Sequence, residues 1–170
     1  MTDAELLAAA DAIASRAYAP YSEFHVGCAV LCRDGRVVEG ANVENAAYPL
    51  GVCAERTTFS RAISEGYRPG DFVVAAITAS PCGGCRQWLA EMGVERVLFR
   101  NGGRIVEMTP DELLPEQFDA GELGARRGCA SLPGDTPAHG WEGRRKGRCG
   151  AIGTFLLQRR HGPVTVSAIG

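Results

Sequence analysis

The 170-residue sequence lacks any apolar run as long as a membrane span, and it begins with acidic and alanine-rich residues rather than basic ones. A membrane helix needs about 20 apolar residues, and a secretory signal starts with positive charge. We therefore expect a cytoplasmic protein with no membrane partner. The chain also lacks a basic excess, because its formal net charge is −2. Since nucleic-acid binding requires a basic surface, the charge favours a small-molecule partner and no nucleic acid.

Charge and glycine are unevenly spread along the chain. Residues 121–170 hold eight basic residues, three acidic residues and eleven of the 22 glycines. That segment has few large apolar side chains to offset the entropy of ordering it. We expect one compact domain over residues 1–120, followed by a basic, Gly/Arg-rich and largely disordered extension over residues 121–170.

The seven cysteines cannot all pair with one another, and without a secretory signal close cysteine spacing indicates metal binding or redox chemistry. Three of them lie in two short stretches, Cys53-Ala54-Glu55 and Pro81-Cys82-Gly83-Gly84-Cys85. Three thiolates fill three of the four tetrahedral positions of Zn²⁺ and leave the fourth for water, as in catalytic zinc sites. The alternative is a buried core cysteine at position 53 and a redox or structural pair at positions 82 and 85.

Glu55 lies two residues from a proposed ligand, close enough to reach a water at the metal without binding the metal itself. A carboxylate there can act as general acid and base in hydrolysis. The alternative is an ordinary solvated glutamate in the first turn of a helix. Arg56 follows directly and can donate hydrogen bonds to the sulfurs, or it can be a surface arginine. Arg86 and Gln87 follow Cys85 and leave the same two possibilities open.

Capping, turn and strand signals predict the secondary structure in order. Thr2 and Glu5 have capping-box spacing, which predicts a helix that ends before Pro20. Strand formers over residues 24–31, a turn over 33–36 and a returning strand predict a hairpin, followed by a loop over 40–50.

The second half of the chain alternates helix and strand signals. The predicted elements are helices over about 53–66 and from about 82, strands over 71–78, 94–100 and 104–108, and a short helix opened by a second capping box at 109–112. This order predicts an α/β fold with a mixed five-stranded sheet and helices on both faces, a three-layer α/β/α sandwich.

Several motifs together resemble a known family. Cys53-Ala-Glu followed by Pro81-Cys-x-x-Cys resembles the three-cysteine form of the zinc deaminase signature. The surrounding motifs are Tyr18-Ala-Pro-Tyr-Ser, Phe24-His-Val-Gly, Gly40-Ala-Asn-Val-Glu-Asn and Pro81-Cys-Gly-Gly-Cys-Arg-Gln. As a set they resemble the small homotetrameric cytidine deaminases over residues 3–118.

The resemblance implies roles for individual residues. One zinc ion per subunit would be held by Cys53, Cys82 and Cys85, with Glu55 as the proton shuttle. The remaining implied assignments are Asn42 and Glu44 at the ribose hydroxyls, Phe24 near the pyrimidine, Ala54 in the substrate pocket, Arg56 hydrogen-bonded to the ligand thiolates and Phe118 reaching a neighbouring subunit.

The implied activity is hydrolytic deamination of cytidine and 2′-deoxycytidine to the uridine nucleosides, with release of ammonia, in pyrimidine salvage. The segment over residues 75–80 is shorter than the resemblance leads us to expect, and the extension after Phe118 is not part of the family pattern. Three alternatives stay open: a deaminase of a modified nucleoside such as blasticidin S, a non-catalytic zinc or nucleic-acid-binding protein, and a thiol–disulfide oxidoreductase.

Overall fold

A computed structural model describes residues 1–119 and 121–123. Its elements in chain order are α1 (Asp3–Ala14), β1 (Gly27–Cys32), β2 (Val37–Ala41), α2 (Ala54–Ser64), β3 (Phe72–Ile77), α3 (Gly83–Glu91), β4 (Arg96–Asn101), β5 (Arg104–Met108) and α4 (Pro110–Leu113), with a 3-10 turn over Tyr48–Leu50. The predicted extension lies outside the described residues beyond position 123. No helix in the described part is long and apolar enough to cross a membrane.

The five strands form one sheet in the order β2-β1-β3-β4-β5. The β1–β2 and β1–β3 pairs and the β4–β5 pair are antiparallel, and β3 and β4 are parallel. Helix α3 connects the two parallel strands and begins at the carboxyl end of β3. The prediction of a mixed five-stranded sheet is confirmed.

Alternate residues of each central strand face opposite layers, which explains the continuous apolar runs of the sequence. One face packs Ala29 and its neighbours against Leu6, Leu7 and Ala10 of α1. The opposite face packs Cys28 and Val30, together with residues of β3 and β4, against α2, α3 and α4. The three-layer α/β/α arrangement is therefore confirmed.

Helix α1 lies almost directly on the backbone of β1. A Cβ atom added at Gly27 would come 2.0 Å from the carbonyl oxygen of Ala10 and 2.8 Å from the amide nitrogen of Ala14. Only glycine permits this approach, because any side chain would push the helix off the sheet. The glycine of the Phe24-His-Val-Gly motif therefore positions the outer layer.

Several element boundaries differ from the sequence prediction, most clearly at the start of β1 and the end of β2. Strand β1 begins at Gly27 and not at Phe24, because the Asn42 side chain bonds the Phe24 carbonyl and the Val26 amide. Strand β2 extends through Ala41 into the segment predicted as a loop. The two predicted capping boxes are confirmed, at Thr2 with Glu5 and at Thr109 with Glu112.

Candidate active site

Three cysteine sulfurs meet where the N-termini of α2 and α3 converge. Cys53 is the N-cap of α2, Cys82 is the N-cap of α3, and Cys85 lies in the first turn of α3. Their sulfur atoms all lie within 4.8 Å of one another, and the Cys53 and Cys82 sulfurs are 3.9 Å apart. Two sulfurs bound to tetrahedral zinc at about 2.3 Å lie about 3.8 Å apart, so the cluster fits zinc.

The helix starts explain why these sulfurs are suited to a metal. Neither Cys53 nor Cys82 uses its side chain as a helix cap, so both sulfurs remain available to a shared ligand. Helix N-termini stabilise thiolates through their dipoles and exposed N–H groups. Hydrogen bonds with Cys85 and Cys82, together with the Arg56 guanidinium, lower the pKa of Cys53 to about 5. At least one sulfur is therefore readily deprotonated near neutral pH.

The carboxyl group of Glu55 is buried beside this cluster. The residue is 3% exposed in the first turn of α2. Burial is the main cause that raises the pKa of this carboxyl above its ordinary value, although its backbone hydrogen bond and a contact with the Cys85 thiol act in the opposite direction. A carboxyl group with a raised pKa holds its proton more tightly than an exposed one, which suits a group that must both accept and donate a proton.

A close helix–strand contact fixes the start of α2. The buried Thr58 hydroxyl donates to the carbonyl of Ala54 at 2.8 Å and lies 3.2 Å from the carbonyl of Cys28 on β1. Gly40 on β2 allows the approach, because a Cβ there would lie 2.6 Å from the Thr58 Oγ1 atom. Ala54, expected in the substrate pocket, is fully buried at this first turn.

Arg56 holds the chain that enters α2. Its Nη2 atom donates to the carbonyl of Gly51 at 2.9 Å, and its guanidinium also interacts with the Cys53 thiol. The structure therefore places Arg56 beside the Cys53 sulfur, while its expected hydrogen bond to a zinc-bound thiolate remains a prediction.

Asn42 and Glu44 bond to the chain segment over residues 18–26. Asn42 donates to the Phe24 carbonyl at 2.9 Å and accepts from the Val26 amide at 2.8 Å. Glu44 accepts from the amides of Tyr21 and Ser22 and from the Ser22 hydroxyl. Both residues thus order the segment over residues 18–26. Their expected contact with ribose remains a prediction.

Sequence reasoning missed several residues of this loop. Tyr21, Ser22 and Tyr48 line a cavity of about 400 Å³ together with Glu44, Asn45 and Gly51. The two tyrosine rings meet edge to face, with centroids 6.1 Å apart. The hydroxyl-bearing pair Tyr21-Ser22 in the Tyr18 motif was the available signal. Phe24 and Phe118 are 60% and 57% exposed, so both rings are accessible to a ligand or partner.

Comparison with known proteins finds a matching family model and several similar proteins. A family model described as the cytidine and deoxycytidylate deaminase zinc-binding region matches residues 1–101. The cytidine deaminase of Halalkalibacterium halodurans is 47% identical over 116 residues, which are 63% of this chain and 86% of that protein. The cytidine deaminase of Sporosarcina psychrophila is 42% identical over 128 residues, which are 70% of this chain and 93% of that protein.

Solved structures of cytidine deaminases are also similar to this chain in sequence and in fold. The cytidine deaminase from Burkholderia pseudomallei is 42% identical, with a TM-score of 0.65, and the match covers 69% of this chain and 100% of that chain. The cytidine deaminase from Mycobacterium tuberculosis is 38% identical, with a TM-score of 0.60, over 70% of this chain and 99% of that chain.

Proposed function

Because the chain belongs to the cytidine and deoxycytidylate deaminase family, we propose that it hydrolyses cytidine and 2′-deoxycytidine to the uridine nucleosides and ammonia. The resemblance recognised in the sequence motifs is confirmed at the level of the family. The observation that carries the proposal is the pairing of a three-sulfur cluster with a buried carboxyl two residues from one of the sulfurs. The names of the curated relatives support the choice of substrate.

Cys53, Cys82 and Cys85 would hold a zinc ion, which would supply a Lewis acid that lowers the pKa of a water molecule towards neutrality. Glu55 then moves two protons. Its carboxylate takes a proton from the water that attacks C4 of the base and delivers this proton to ring nitrogen N3. It next carries the remaining hydroxyl proton to the amino group, which leaves as ammonia. One water and one cytidine thus become one uridine and one ammonia.

Asn42 and Glu44 bind the ribose hydroxyls in this proposal. The Asn42 amide has one N–H and one lone pair beyond its two loop bonds, and a carboxylate offers about four acceptor sites, of which Glu44 uses three. Their attachment to the loop holds both groups in one orientation before substrate arrives. Such a site discriminates strongly against analogues without a hydroxyl, because its polar groups are then left unpaired. The exposed ring of Phe24 contacts the pyrimidine, and the buried Ala54 forms part of the pocket wall behind it.

The assembly is a homotetramer in which Phe118 reaches a neighbouring subunit. Large apolar side chains are exposed in the segments over residues 18–24 and 43–52, the second of which leads into Cys53. An assembly would cover these side chains, which supports the proposal. They are Tyr18, Tyr21, Phe24, Val43, Tyr48, Leu50 and Val52. We assign the enzyme to pyrimidine salvage in the cytoplasm, where free nucleosides would be its substrates.

Zinc content and nucleoside turnover, measured on the same purified preparation, test the function. We expect about one zinc per chain and a fall in cytidine absorbance as uridine forms, with matching ammonia release. Blasticidin S serves as the comparison substrate, and turnover of it without turnover of cytidine would contradict the proposal. Salt-dependent RNA binding without any nucleoside turnover would contradict it as well.

A further inference from the structure

Arg86 and Gln87, the two residues that follow the last sulfur, both donate hydrogen bonds to distant backbone carbonyls. Arg86 Nε donates to the carbonyl of Pro81 at 3.1 Å, and its Nη1 atom donates to the carbonyl of Leu113 at 2.9 Å. Gln87 Nε2 donates to the carbonyl of Phe118 at 2.7 Å. The sulfur-bearing turn over residues 81–85 is thereby connected to the C-terminal segment over residues 113–118.

We propose that Arg86 is a positioning residue that holds the 81–85 turn in its metal-binding geometry by bridging it to the carbonyl of Leu113. This inference rests on the proposed function, because it concerns the same zinc site. A guanidinium group is planar and carries its donors at fixed angles, so it can hold two carbonyls in a defined relative position.

The turn needs such support at one sulfur more than at the other. Cys85 is fully buried, so core packing already fixes its side chain, whereas Cys82 is exposed. The Pro81 carbonyl belongs to the peptide bond that leads into Cys82. Its hydrogen bond with Arg86 restrains rotation of that peptide plane, and the sulfur of Cys82 follows the backbone.

The opposite end of the bridge is firmly anchored. Leu113 is 3% exposed and packs in the same apolar core as α2 and α3. Helix α4, which ends at Leu113, begins with the Thr109–Glu112 capping box. The Leu113 carbonyl is therefore a rigid reference point, and Gln87 adds a second link where the segment reaches Phe118.

The rate at which a chromogenic chelator removes zinc from the full-length protein tests this role. We expect Arg86→Ala to release zinc about 10- to 100-fold faster than the unchanged protein, the range typical for loss of a residue that supports metal ligands. Excess zinc in the assay should restore much of the variant's kcat, because the missing function is metal retention.

Arg68→Ala is the matched control. Arg68 also donates from its guanidinium to two backbone carbonyls, those of Ile63 and Tyr67 at the far end of α2. It should lower the unfolding midpoint without changing zinc release. Equal acceleration in both variants, or unchanged release in Arg86→Ala, would overturn the inference.

Arg86→Lys keeps the test decisive if the alanine variant does not fold. Lysine retains the positive charge but presents a single ammonium group, so it cannot hold two carbonyls in the same geometry. We expect faster zinc release from this variant as well, and release at the original rate would overturn the inference. Zinc binding without cytidine turnover would instead refute the proposed function and leave the Arg86 role standing.

Discussion

Ser22 donates two hydrogen bonds to the carboxylate of Glu44: its hydroxyl donates to Oε1, and its backbone amide donates to Oε2 at 3.2 Å. The Tyr21 amide adds a third bond at 2.9 Å. These donors hold the pKa of Glu44 below its ordinary value, with the Ser22 hydroxyl as the largest cause. The residue proposed to bind ribose is thus ionised and oriented by its own loop.

Glu44→Gln should raise KM for cytidine about tenfold or more and change kcat less. The amide replaces one acceptor oxygen by a donor, which then faces the donors of Ser22, and hydrogen bonds to a charged group are stronger than those to a neutral amide. Steady-state kinetics with cytidine measure the effect. Ser22→Ala is the control, because it removes one donor, leaves the carboxylate in place and should raise KM less. An unchanged KM in the glutamine variant would show that this carboxylate does not contact substrate.

Glu55→Gln should reduce kcat about 10²- to 10⁴-fold, the usual contribution of a general acid–base group. Zinc content should not change, because the three residues that would hold the metal are cysteines and Glu55 is not one of them. Glu65→Gln, at the other end of α2 where Glu65 pairs with Arg61, provides the control and should keep full activity. Normal turnover in the Glu55 variant would remove the proton-shuttle role.

Gly40→Ala should lower the free energy of unfolding by about 1–3 kcal/mol, as expected for overpacking a tight core. The new methyl group would meet the amide nitrogen of Thr58 at 2.7 Å, which forces α2 away from β2. Denaturant unfolding of the zinc-loaded protein measures the loss. Gly84→Ala is the control, since a Cβ there meets nothing within 4 Å, and it should be neutral or slightly stabilising. Equal stability of the two variants would contradict the close-contact explanation.

Asp3→Asn should reduce stability at pH 7 by about 0.2–1 kcal/mol, the range for exposed ion pairs. Asp3 Oδ1 lies 2.6 Å from Arg96 Nη2, and this hydrogen bond lowers the pKa of the Asp3 carboxyl. A carboxyl with a lowered pKa stabilises the fold above its ordinary value of 3.8, and this contribution is lost as pH falls through the lowered value.

Paired unfolding measurements between pH 7 and pH 3 test this dependence. The difference between the two proteins should be constant down to about pH 5 and shrink progressively below it. Asp111→Asn is the control. Asp111 accepts a hydrogen bond from Gln117 and forms no ion pair with arginine among the described residues, so this variant should differ less from the unchanged protein in unfolding free energy at every pH. A difference that vanishes already near pH 6 would contradict the assignment to Asp3.

Local signals predicted well wherever the cause is local. The capping boxes at Thr2 and Thr109 depend on side chains three residues apart, and the β1–β2 hairpin depends on its own turn. The sulfur cluster was predictable because each motif starts a helix and the strand order brings the helix starts together. Long-range contacts could not be predicted from the sequence. No residue spacing indicates that the Asn42 side chain hydrogen-bonds the Phe24 carbonyl, or that Arg86 hydrogen-bonds the Leu113 carbonyl. The basic extension expected over residues 121–170 stays a prediction.

The sulfur cluster joins residues that are far apart in the chain, since Cys53 begins α2 and Cys82 begins α3. A metal ion shared by them is therefore a cross-link as well as a reagent, and it closes the long loop that contains β3. Loss of zinc would therefore have a second effect besides the loss of activity. It would remove the restraint between the starts of α2 and α3 and lower the free energy of unfolding, so that metal supply would set the stability of the protein as well as its activity.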